Sequence, residues 1–343
     1  MENLVADAVD GASANMCSFD ETFKSMAKGL EEALEPKWRE RLQSKSRVEQ
    51  ARAGAEWLQT MDGPDMWLIE STTIINLGYI PRHDEALKNG WIYTLKDAVA
   101  KWASDGENGP LDEINFLSHN WCMGPDKSKI DNHDLDKAKA VAAWHKWRNG
   151  AYKRSRGKDT PVLWWIGAHP LLSHDTAFCP AVHTCHLVAD WSCIDQSNSA
   201  PGAAMLPAYV KLCGMMLCFV HDREGKYFTR GWCRTERCLF TAMNSPRNWF
   251  YCLYKSEEKF NPWQTIDDPR EGSLTNEGDR PYITKLTEIA LKFWEINAKT
   301  GFDQTNDYTT GVWKQVITPQ LLFSQTPIMS WEMAEGVGGP RKS

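Results

Sequence analysis

Four short apolar runs, separated by stretches of helical periodicity, constrain the fold of this chain more than any other feature. "EINFLS" (113–118), "HLVADW" (186–191), "MMLCFV" (215–220) and "NWFYCLY" (248–254) are of strand length and too short for buried helices. Between them, "HDLDKAKAVAAWHKWRNGAY" reads as a helix ending near Gly150, "AMLPAYVKLC" suggests a second, and "YFTRGWCRTERCLF" a third, starting near Tyr227. Unbroken apolar runs belong to strands buried on both faces, and strands alternating with helices imply crossover connections. The expectation is an α/β domain built on a parallel sheet covered on both sides. "VLWWIG", beginning at Val162, reads either as another strand or as part of an insertion reaching Cys185.

The flanks read differently. Residues 1–15 look disordered, and from Ser18 to about Met61 the Glu, Lys, Ala and Leu content predicts helices interrupted near Pro36. Residues 62–100 have no clear period. "SDGENGP" (104–110) is a turn-rich break, so three regions are expected: a helical N-terminal region (1–110), the α/β domain (111–256) and a C-terminal helical extension with a tail (257–343). In the last, "DDPREGSLTNEGDRP" is loop-like and "YITKLTEIALKFWEI" is an amphipathic helix.

Charge and cysteine usage narrow the function classes. The net charge of -6 is well mixed, and the basic cluster Lys153, Arg154, Arg156 and Lys158 is too short for a nucleic-acid footprint, so no nucleic-acid partner is expected. No apolar stretch approaches the roughly 18 residues of a membrane span, and the first residues do not resemble a signal peptide. Ten cysteines without framework spacing suggest reduced thiols and a cytoplasmic protein. His174, Cys179, His183, Cys185 and His186 are of zinc-ligand type but match no zinc spacing, so no metal is expected.

Within "YFTRGWCRTERCLF" the single carboxylate, Glu236, has an unusual place. At helical spacing Trp232, Cys233, Leu239, Phe240 and Met243 all fall within about 60° of it, whereas Arg230, Arg234 and Arg237 share a stripe about 100° to 160° away. The acid points into the apolar face and the bases take the flank. A glutamate so placed either pairs with an arginine in a packed interior or serves chemistry in a dry site.

Three blocks, "FLSHNW", "DWSCIDQ" and "YFTRGWCRTE", stand in fixed order at predicted strand ends or just after one. Over roughly residues 112–256 they resemble the Toll/interleukin-1 receptor (TIR)-like domain superfamily in its divergent protist and fungal form, although Trp191 and Ser192 replace a more typical isoleucine and aspartate. The resemblance implies a flavodoxin-like parallel sheet of about five strands, with ligands bound beyond the strands' carboxyl ends. It also implies cleavage of the nicotinamide–ribose bond of NAD, in immune or stress signalling, with NAD as substrate and no cofactor. Glu236 is then the catalytic carboxylate. Ser118 and His119 contact phosphate or ribose, or close a turn. Trp121 and Trp232 stack on a ring of the substrate, or pack. Asp190, Asp195 and Gln196 bind ribose hydroxyls, or cap a helix. Tyr227 and Arg230 contact the substrate, or lock the helix to the sheet. Two alternatives stay open: a TIR-like interaction module without activity, and a nucleoside or nucleotide N-glycosidase on the related fold. Self-association through the TIR-like domain or the helical flanks is a further expectation.

Overall fold

A computed structural model describes residues 2–42, 47–104, 114–119, 137–147, 163–166, 193, 199–220, 226–244, 249–253, 256–262, 267–274 and 277–299. The chain begins with helices α1 (Glu2–Glu32), α2 (Pro36–Leu42) and α3 (Arg47–Leu58). Next come β1 (Trp67–Glu70), α4 (Ser71–Leu77), α5 (His83–Lys88), β2 (Ile92–Thr94) and α6 (Leu95–Ser104). The central part comprises β3 (Ile114–His119), α7 (137–147), β4 (Leu163–Ile166), α8 (Ser199–Ala204), α9 (Leu206–Leu212) and β5 (Met215–Val220). It continues through α10 (Lys226–Thr229), α11 (Gly231–Met243), β6 (Trp249–Leu253), β7 (Ser256–Pro262) and α12 (Arg280–Lys299). Short 3-10 turns lie at Pro269–Glu271 and Glu277–Asp279.

The strands form one sheet in the order β2-β1-β4-β3-β5-β6-β7. Its middle is parallel: β3 pairs with β4 on one side and β5 on the other, and β5 pairs with β6. Every residue of β3 and β5 is buried, which is why both read as unbroken apolar runs rather than alternating ones.

β3, β5 and β6 fall on three of the predicted runs, and "VLWWIG" supplies β4, a strand rather than an insertion. The fourth run, 186–191, lies outside the described residues. The expectation of a wholly parallel sheet is corrected at its edges: β1 is antiparallel to β4, β2 to β1, and β7 to β6. The first two come from the region read as helical and β7 from beyond Tyr254. β1 and β2 have four and three residues, too short to set a period against the helices around them. Residues 2–15, read as disordered, belong to α1.

Helices close the faces. Asn115, on β3, accepts a hydrogen bond from Trp144 Nε1 of α7 at 3.2 Å. α11 packs against β3, α9 and α12. α1 runs beside α8 and reaches α12, where the Phe19 and Tyr282 rings lie 4.2 Å apart and Lys285 Nζ meets Asp20 Oδ1 at 2.5 Å. Cys193, Cys213, Cys218, Cys233 and Cys238 are buried free thiols, while Cys17 is free and exposed. Among the described residues no helix is long and apolar enough to cross a membrane.

Candidate functional site

The chain leaves β3 toward β4 on one side and afterwards builds β5 and β6 on the other. The carboxyl ends of β3 and β5 therefore flank a point where the winding of the sheet reverses. In open α/β sheets such a point leaves a crevice between diverging connections. Ser118 and His119 end β3 there, and α10 and α11 follow β5.

How α11 enters is set by two glycines. The helix expected to start near Tyr227 is interrupted: after α10, Arg230 is extended and pairs as a bridge with Ser273. Gly231 N–H donates to Ser273 O at 2.9 Å, and Ser273 N–H to Thr229 O at 2.7 Å. A Cβ at Gly272 would lie 2.5 Å from the Gly231 nitrogen, and one at Gly231 would lie 2.7 Å from Leu274 Cδ2 and 2.9 Å from Ile283 Cδ1. Only glycine lets these backbones cross so closely. The backbone at Arg230 thus locks the helix start to the segment before α12.

Every residue of α11 except Arg234 is buried. Glu236, 2 % exposed, points at β3, where Ser118 Oγ donates to its Oε2 at 2.5 Å. Ser118 Oγ also lies 2.6 Å from Tyr227 OH, and both residues are fully buried. A serine hydroxyl carries one proton, so while it donates to Glu236 the tyrosine must donate to it. The result is a directed chain from Tyr227 through Ser118 to Glu236. Burial pushes the Glu236 carboxyl up to about 8, against the Ser118 hydrogen bond and the Arg237 charge, which pull it down. Burial also holds the Tyr227 phenol well above its ordinary value, so it keeps its proton and can serve as the head donor. Among the described residues Ser118 is the sole hydrogen-bond donor to the carboxylate, and it takes one oxygen only.

Arg237, placed by sequence on an outer stripe with Arg230 and Arg234, is completely buried. Its Nε donates to Cys233 O at 3.1 Å and its Nη2 to Phe228 O at 3.3 Å, and the guanidinium carbon lies 5.5 Å from the centres of both the Tyr227 and Phe228 rings. The physical reason is that α11 is walled on its flank as well as on its apolar face. Arg234 is half-buried, donating to Phe228 O at 2.7 Å and Asp268 O at 3.1 Å.

The other expected site residues divide. Trp232 is buried one helical turn before Glu236, and its Nε1 donates to Asp279 Oδ2 at 2.9 Å. Asp279, 3 % exposed, is pushed up to about 6 by burial and further by Glu277, against the Trp232 hydrogen bond. His119 alternates with Ser118 along β3, which turns its side chain to the opposite face, that of Asn115, and away from Glu236. Its carbonyl accepts from Cys233 Sγ at 3.8 Å. Trp121, Asp190, Asp195 and Gln196 lie outside the described residues, as do His174, Cys179, His183, Cys185 and His186. Among the described residues no group of three or more side chains could hold a metal.

The structure therefore brings together Ser118, Tyr227, Glu236 and Trp232, and adds Arg237 and Asp279. Asp279 had a local signal: Asp-Arg-Pro before an amphipathic run marks a helix start. Nothing local announces that its partner is an indole 47 residues earlier in the chain. When the chain is compared with protein families, with curated proteins and with solved structures, none matches.

Proposed function

We propose that this chain is a TIR-like NAD+ glycohydrolase and that Glu236 is its catalytic carboxylate. The observation that carries the reading is the Glu236 carboxyl itself: buried beside the end of the central parallel strand, anchored by Ser118 through one oxygen and free to turn the other to a ligand. Among the described residues the parallel strands lie in the order β4-β3-β5-β6, which supports a flavodoxin-like core with its ligand crevice at the β3/β5 reversal.

The chemistry follows from charge. Nicotinamide in NAD is a cationic leaving group and needs no acid to protonate it. As the C1′–N bond breaks, its electron pair returns to the nicotinamide nitrogen and positive charge moves onto the ribosyl ring. A carboxylate in a dry site stabilises that charge far more than it would in water. With its carboxyl raised to about 8, Glu236 rests largely protonated at neutral pH, and the approach of the nicotinamide cation favours the ionised form. Ser118 donates to that ion, and Tyr227 supports Ser118. When water bonds to C1′, Glu236 takes the proton that the water gives up, which suits a base whose proton affinity lies near neutrality.

The same burial favours a second reading, a TIR-like interaction module in which Ser118 simply holds Glu236 in the core. Nicotinamide release by wild type and Glu236→Gln separates the two. The catalytic reading expects a fall of roughly 100- to 1000-fold, the usual effect of removing one transition-state electrostatic contact. Equal turnover in both proteins, or none in concentrated wild type, leaves the interaction module.

A further inference from the structure

Asp279 carries an unexplained oxygen. Its Oδ2 accepts from Trp232 Nε1, whereas Oδ1 is buried and without a hydrogen-bond partner. A buried carboxylate oxygen lacking a donor is costly, and such a group calls for an explanation. The charges around it offer no compensation. Glu277, on the same turn, repels it, and across α12 the acid Asp20 of α1 faces Tyr282, which also senses Asp279. The nearby cations are engaged elsewhere: Arg280 with Glu277 and with the carbonyls of Arg270 and Gly272, and Lys285 with Asp20.

We propose that Asp279 Oδ1 is the acceptor for the carboxamide N–H of nicotinamide, so that Trp232 and Asp279 together select the amide over the corresponding acid. This rests on the NAD-cleaving reading of Glu236. Trp232 precedes Glu236 by four residues, and positions so spaced are neighbours on one helix face. The rise between them is a little over one turn, roughly 6 Å. That is of the order of the span from the glycosidic carbon, where Glu236 acts, to the carboxamide nitrogen across the pyridine ring. The indole supplies a flat apolar body with its polar edge pinned to the very carboxylate that would read the amide. Nicotinic acid adenine dinucleotide presents a carboxylate where NAD presents an N–H donor. Against Asp279 it meets repulsion and leaves Oδ1 unsatisfied, and sites built on such a hydrogen bond discriminate strongly.

The test is kcat/KM for NAD and for nicotinic acid adenine dinucleotide, measured on wild type, Asp279→Asn, Trp232→Phe and Glu236→Gln. Wild type should prefer NAD by at least about 100-fold. Asp279→Asn, which offers an N–H of its own, should bring the preference below about 10-fold or reverse it. Glu236→Gln should slow both substrates and leave their ratio unchanged. An unaltered preference in a folded Asp279→Asn protein overturns the proposal while leaving the role of Glu236 standing. A second measurement covers a variant that does not fold, or a wild type that turns over neither dinucleotide. In protein labelled with 15N at the indoles, the Trp232 Nε1–H resonance, identified by its loss in Trp232→Phe, should shift on adding NAD and not on adding the acid analogue. No shift with either compound, or equal shifts with both, overturns the assignment of Asp279.

Discussion

Replacing Glu236 with glutamine should stabilise the protein, and the gain should grow with pH. The folded-state carboxyl titrates at about 8 against an ordinary value of 4.5. Between those values the unfolded chain has already lost the proton that the folded chain still holds, so unfolding releases it and stability falls as pH rises. Each pH unit in that window is worth about 1.4 kcal/mol, so the full cost of the carboxylate above pH 8 is of order 5 kcal/mol. Glutamine keeps an oxygen to accept from Ser118 and carries no charge. Urea unfolding of wild type and Glu236→Gln at half-unit steps from pH 5 to pH 9 reads the difference directly. The curves should nearly meet at pH 5 and separate by several kcal/mol at pH 8.5, with the variant the more stable. A variant less stable than wild type by roughly 3 to 5 kcal/mol across the range would refute the reasoning, because that is the signature of breaking a buried ion pair with Arg237. A pH-independent gap would refute it too, since it would mean that Glu236 titrates alike in both states.

Two further outcomes are expected. Ser118→Ala removes the hydrogen bond that holds the Glu236 carboxyl down, so the pH at which NAD cleavage rises should move upward, and urea unfolding should show a loss of about 1.5 to 3 kcal/mol from the stranded carboxyl and phenol. Gly272→Ala forces a methyl into the Gly231 backbone, which has no side chain to swing aside, and should cost about 1 to 3 kcal/mol or more by the same measurement.

The legible part of the fold was the part with enough residues to set a period. β3, β5 and β6 announced themselves as unbroken apolar runs, β3 and β5 being buried along their whole length, and α7, α11 and α12 as helical ones. β1 and β2 join the sheet through the pairing of β1 with β4, distant in sequence, and β7 by folding back on β6; no local pattern in β1 or β2, four and three residues long, encodes its partner. At the candidate site the same divide holds. The placing of Glu236 in an apolar face was readable, because helical geometry alone fixes which neighbours share its side. That Ser118 meets Tyr227 across 109 residues, or Trp232 meets Asp279, depends on how β3, α10, α11 and the turn before α12 pack. The flank position of Arg237 was readable, but its burial was not. Helical spacing fixes the angle of a side chain and not what covers it, and only the packing of α9, α12 and the 268–274 segment shows that this flank is also interior.

Glu236 and Arg237 adjoin in sequence, are both buried and carry opposite charges, yet their hydrogen bonds run in different directions. About 100° of helical rotation separates them. The arginine donates to the carbonyls of Cys233 and Phe228 and lies over two aromatic rings. The glutamate turns to a serine hydroxyl on the central strand. A core selected for stability alone would do better with a direct, well-hydrogen-bonded ion pair, or with two apolar side chains of similar size. What this helix holds instead is a carboxyl whose ionisation is finely balanced, close enough to Arg237 to feel its charge but not neutralised by it, and wired to a phenol through a single hydroxyl. Such an arrangement costs folding free energy at neutral pH, and groups held off their ordinary titration by burial and a specific partner gather where proton transfer is used. The stability gained by Glu236→Gln and the turnover lost by it are therefore two readings of one property, a carboxyl that burial holds near its point of ionisation.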